Sequence, residues 1–103
     1  MFTVSAEAAA QIKKSIIETK AEGEPLRVAV EKNDKGEFHY QMGFDDSSKY
    51  GDVKAVSEGV ELVVDAASAN LVAGMMIDYV NIEGKMEFVF MNPNDPNYKA
   101  PEE

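Results

Sequence analysis

Ala9, Ile12 and Ile16 recur at helical spacing with Ile17 beside them, so the chain opens on an amphipathic helix of about four turns. Ser5 is placed to cap it, Glu7 suits its first turn, and Gly23 and Pro25 are the residues expected to stop it. The period then shortens to two. Leu26, Val28 and Val30 face one way and Arg27 and Glu31 the other. Lys32-Asn33-Asp34-Lys35-Gly36 forms a turn, and Phe38, Tyr40, Met42 and Phe44 make the next stripe, with His39 and Gln41 opposite. Residues 45–52 are polar and read as an exposed loop, and 53–56 as a short strand. Gly59 introduces an almost wholly apolar strand over 60–64, expected in the middle of a sheet. Ser68 is the expected cap of a short helix running through Leu71 and Val72 to Gly74. The last strands fall at 76–80 and 86–91, joined tightly through 81–85, where Gly84 supplies the positive φ of a hairpin turn.

Beyond Asn92 the prolines Pro93, Pro96 and Pro101 stand among polar residues with no repeating apolar position. The pattern predicts a domain over 1–94 and a flexible tail over 95–103. The fold class is α+β, mainly β: a packed pair of sheets with an N-terminal helix and a short second helix on its flanks.

Composition narrows the chemistry. The chain has 103 residues, 45% of them hydrophobic, which suits one domain with one core. It contains no cysteine, which excludes disulfides, thiolate metal sites and thiol nucleophiles. Ten Lys and Arg against 19 Asp and Glu give a net charge of −9, and the basic residues are scattered, so direct nucleic-acid binding is not expected. No apolar run approaches a membrane span, and the first residues lack the basic and apolar regions of a signal peptide; the expectation is a cytoplasmic chain without a membrane partner.

Candidate reactive groups are few. His39 is the only histidine; as an iron ligand it would need nearby carboxylates such as Asp34 and Glu37, and Lys35 lies between those two. The simpler reading is a surface histidine. The pairs Asp45-Asp46 and Glu102-Glu103 sit in loop and tail, where carboxylates are solvated and unsuited to acid–base catalysis. Asp65 and Asp78 read as a helix cap and a turn hydrogen bond. Phe38, Tyr40, Phe44, Phe88 and Phe90 read as core, and Met42, Met75, Met76, Met86 and Met91 as soft fillers or an adaptable contact surface.

Several strings occur in an ordered series. They are Leu26-Arg27-Val28-Ala29-Val30, Tyr40 in its aromatic strand, Gly59-Val60-Glu61-Leu62-Val63-Val64-Asp65, the set Ser68, Leu71 and Gly74, Ile77-Asp78-Tyr79-Val80, and Phe88-Val89-Phe90-Met91-Asn92-Pro93-Asn94. Together they resemble the HesB/IscA family of A-type iron–sulfur carriers. The resemblance implies a HesB/IscA-like β-sandwich. It also implies where the family's three cysteine ligands fall: on Lys35, Lys99 and Pro101. Two ammonium groups and a pyrrolidine cannot replace soft thiolates, so no cluster and no other cofactor is expected. The chain is similar in this to a cysteine-free branch associated with bacterial sulfur oxidation. The resemblance thus implies a non-enzymatic interaction or regulatory protein, expected to be a monomer with an unidentified protein partner. Its candidate contact patch is Lys35, His39 and Lys99. The alternative is an iron carrier that uses carboxylates and His39.

Overall fold

The computed structural model describes residues 2–47 and 49–96. Lys99, Pro101 and the Glu102-Glu103 pair lie outside the described residues, and so does the expected tail from 97 onward.

Strand β1, Thr3–Val4, leads into helix α1, Ala6–Glu18. Ser5 caps the helix as expected, its hydroxyl accepting from the Ala8 N–H. The helix ends earlier than Gly23. Lys20 takes the left-handed conformation usually given to glycine, at φ 57°, and the Ala21 N–H turns back to the Ile16 carbonyl. Buried Ala21 holds that closure in place, so a packed side chain overrides the penalty for a left-handed lysine.

Seven strands among the described residues form two sheets. Sheet A has the order β1-β6-β7, with β6 at Met76–Ile82 and β7 at Lys85–Met91; β1 runs parallel to β6 and β7 antiparallel to it. Sheet B has the order β3-β2-β5-β4, from β2 (Leu26–Lys32), β3 (Phe38–Phe44), β4 (Val53–Ser57) and β5 (Val60–Val64). The alternating residues Leu26, Val28, Val30, Val60, Leu62 and Val64 of sheet B meet Ile77 of sheet A, Ile12 of α1, Val72 and Met75 in one core. The apolar β5 is an inner strand, as its sequence predicted. The aromatic stripe packs against this core but is only partly buried. Met75 is buried, whereas Met76 is 39% exposed, so the methionines divide between filler and surface.

Two serine hydroxyls finish backbones that no strand reaches. β2 runs past the end of β5, and helix α2, Ala66–Ala69, fills the gap: Ser68 Oγ accepts from the Val30 N–H and donates to the Val30 carbonyl. Ser68 is therefore not the helix cap. Asp65 takes that role by accepting from the Ser68 N–H, as its own reading as a cap predicted. Ser57 does the same for Val4, accepting from its N–H, and thereby ties β4 of sheet B to β1 of sheet A.

The connection from β3 to β4 must cross from one edge of sheet B to the other. Residues 45–47 and 49–52 lie along this crossing over the outer face, and Arg27 of the inner strand β2 pins them. Its Nη1 and Nη2 hold Asp52 at 3.1 and 2.7 Å, Nη2 donates to the Ser47 carbonyl, and Nε lies 3.5 Å from Asp45. The Arg27 and Asp52 side chains are only 11% and 3% exposed. The loop is exposed over most of its described length, as expected, with Asp52 as its one buried anchor and Asp45 still 42% exposed beside Arg27. Sequence alternation correctly pointed Arg27 away from the core but gave no sign that a strap would bury it there.

The Arg27 guanidinium, with the Lys49 N–H, holds the Asp52 carboxyl at about 2 instead of its ordinary 3.8. A carboxyl held low contributes stability that is complete above the unfolded value and is lost as pH falls through the folded one. Thermal melting should therefore drop for the native chain between about pH 4 and about pH 2. Asp52→Asn should melt lower than the native chain near neutral pH, and the two curves should converge at the acid end. Parallel curves across that window would show that the pin does not stabilise the fold.

Candidate functional site

The β2–β3 hairpin presents the first of the positions implied by the resemblance. Asn33 builds its turn: Oδ1 accepts from the Lys35 and Glu37 N–H groups, both at 2.9 Å, and the Asn33 carbonyl accepts from Gly36. Gly36 sits at φ 81°, where a side chain would be strained. Lys35 consequently stands exposed at the tip, between Asp34 and Glu37.

His39 follows on β3, exposed and directly across from Glu31. Its Nε2 lies 3.3 Å from Asn33 Nδ2, which also reaches Glu37 Oε1 at 3.1 Å. With the amide as donor, the Nε2 lone pair is already used. Among the described residues no three His, Asp or Glu groups are placed to hold a metal ion. The chain has no thiol anywhere. The donor set therefore does not fit an iron–sulfur cluster, which requires soft thiolates.

The other half of the site is the chain's exit from β7, and here the hydrogen bonding is dense. Asn92 is fully buried. Its Nδ2 donates to the Leu71 carbonyl at 2.7 Å and lies 3.3 Å from the Tyr40 hydroxyl; its Oδ1 accepts from the Asn94 N–H and Nδ2. Asn94 Nδ2 also donates to the Ala73 carbonyl at 2.8 Å. The Tyr40 hydroxyl donates to Asp95 Oδ2 at 2.7 Å, and its ring stacks on Phe90 at 4.5 Å with 8° between the planes. Burial, then the bond to Asp95, pushes the Tyr40 phenol well above its ordinary pKa, so it stays a neutral donor. The described hydrogen bonding thus continues to Asp95.

Asp78 proves to be neither a turn residue nor a free carboxylate. It lies within β6, where Oδ1 accepts from the Ser5 hydroxyl at 2.6 Å and from the Tyr79 N–H, fastening the start of α1 to sheet A. Of the candidate patch, Lys35 and His39 share one hairpin, with Glu31, Asp34 and Glu37 around them. Sequence reading missed the Asn92 lock; the one available clue was an asparagine-proline-asparagine turn directly after an aromatic strand.

The chain belongs to the family described as iron–sulphur cluster biosynthesis, which it matches over residues 1–98. A putative iron–sulfur cluster insertion protein, ErpA 2, of Polaromonas naphthalenivorans is 41% identical over 97 residues, spanning 90% of this chain and 73% of that protein. Two solved structures share the fold at 22% identity. IscA with a [2Fe-2S] cluster superposes with a TM-score of 0.77, covering 90% of this chain and 86% of that one. Escherichia coli SufA superposes at 0.75, covering 96% and 86%. No helix among the described residues is long and apolar enough to cross a membrane.

Removing the Tyr40 hydroxyl leaves Asp95 without that donor, and removing the Asn92 amide leaves the Leu71 carbonyl without its shortest one. Tyr40→Phe should cost about 1 kcal/mol and Asn92→Ala about 1–3 kcal/mol in chemical denaturation. If both variants match the native midpoint, the exit is not locked by these bonds.

Proposed function

We propose that this chain is a non-catalytic member of its family that has given up cluster binding and works through its surface. The carrying observation is the shared fold of IscA, its chain exit fastened here by Asn92, in a chain without a single cysteine. The role is that of a protein-interaction or regulatory accessory factor, acting as a cytoplasmic monomer without a cofactor. Its partner is a protein not yet identified, and neither nucleic acid nor a membrane is involved. A setting in bacterial sulfur oxidation is supported by the resemblance of the sequence to DsrR, a cysteine-free relative associated with that process.

The iron-carrier alternative has less support. His39 spends Nε2 on Asn33, and the described carboxylates do not converge with it. The patch at Lys35, His39 and Lys99 is also a weak lure for an acidic partner, because Glu31, Asp34 and Glu37 offset its positive charge.

The test is anaerobic reconstitution of the full chain with ferrous iron and sulfide, followed by desalting. The expected product is colourless and carries no stoichiometric iron. A stable cluster absorbance with bound iron and sulfide would overturn this reading. Retained iron that disappears in His39→Ala would establish the carrier alternative instead.

A further inference from the structure

The Arg27-pinned strap lies over part of the outer face of sheet B, where the outward-facing Val63 is buried, while Val56 on the same face stays 68% exposed. Sheet A has no such cover among the described residues. Alternation puts Met76, Asp78, Val80 and Ile82 of β6, and Lys85, Glu87, Val89 and Met91 of β7, on the face turned away from the core. Five of these eight are apolar: Met76, Val80, Ile82, Val89 and Met91. The register sets Met76 directly against Met91, and Met76 and Ile82 are 39% and 40% exposed. An antiparallel sheet with one solvated face ordinarily carries polar residues there.

The edge next to this face is open as well. Glu83 and Gly84, at φ 52° and 89°, form a two-residue turn closed by Ile82 and Lys85. That pair is hydrogen-bonded, so Asn81/Met86, Tyr79/Phe88 and Ile77/Phe90 are the non-bonded pairs. The Ile77 carbonyl fits this phase, since it points away from β7 to the Ser5 N–H. The N–H and C=O groups of Met86, Phe88 and Phe90 therefore point out of the sheet, where β7 has no neighbouring strand among the described residues. Neither a proline nor a bulge blunts this edge, and Met86 is 48% exposed.

Charge selects the occupant. Glu83 and Glu87 stand at this edge against Lys85, on a chain of net charge −9, while Asp78 is engaged by Ser5. We infer that β7 is a docking edge at which an extended, basic segment of a partner protein adds as a further strand of sheet A. Its backbone would pair with Met86, Phe88 and Phe90. Its side chains would alternate between Glu87, Val89 and Met91 on one face and the aromatic side on the other. This inference deepens the reading of the chain as an interaction protein, and it stands or falls separately from cluster binding.

The experiment is amide hydrogen exchange by NMR on the full chain, with three synthetic probes: a peptide alternating valine and lysine, its glutamate counterpart, and the lysine peptide with alternate backbone nitrogens methylated. The Met86, Phe88 and Phe90 amides should exchange rapidly at every protein concentration. They should slow by about tenfold or more with the lysine peptide and with neither other probe. Glu87→Lys should weaken that binding about tenfold without moving the melting temperature. Protection that rises with protein concentration alone would assign the edge to a second copy and overturn the proposal. Equal effects from the methylated peptide would reduce the binding to bulk charge and also overturn it. So would saturation with the lysine peptide that leaves the three amides unprotected.

Discussion

The Arg27–Asp52 ion pair is the constraint on which the architecture of sheet B turns. The strand order β3-β2-β5-β4 obliges the chain to travel from one edge of the sheet to the opposite one between β3 and β4. A polar segment laid across a sheet face needs partners for its backbone and carboxylates. Arg27 supplies them from the middle of the sheet, binding Asp52 in bidentate fashion, the Ser47 carbonyl and, by charge, Asp45. Nearly inaccessible charges of this kind are a poor source of net stability, but losing one partner leaves the other stranded. Their value lies in fixing one crossing path.

At the other end of the molecule the same economy of polar groups holds the chain exit. Asn92 and Asn94 bind the carbonyls of Leu71 and Ala73, and Tyr40 binds Asp95, so β3, β7 and the loop after α2 are joined by side-chain amides and one phenol. A frame held this way needs no cysteine, and it is the fold that the chain shares with IscA and SufA.

Much of the fold was legible in the sequence because it rests on periodicity. The switch from helical spacing around Ile12 to alternation around Val28 located α1 and β2, and Gly84 located the last hairpin. Other features stayed hidden because they depend on partners far apart in the chain. Arg27 and Asp52 are separated by 25 residues, and Ser5 and Asp78 by 73. No local pattern announces that a serine will satisfy a backbone that lacks a neighbouring strand, so Ser68 reads as a cap although Asp65 has that role. Lys20 stops the helix in a conformation that sequence rules reserve for glycine. The site was legible mainly through what the chain lacks, and the Asn92 lock only as an unexplained motif.

If cluster chemistry was removed by exchanging donors on an intact frame, restoring the donors should bring it back. The most direct measurement combines Lys35→Cys, Lys99→Cys and Pro101→Cys in one chain and records the absorption spectrum and the iron and sulfide content after anaerobic reconstitution, beside the native protein. The predicted result is a bound cluster in the triple variant and none in the native chain. A triple variant that folds with the native melting temperature yet assembles no cluster would contradict this, because restored donors on this frame would then not suffice to hold a cluster.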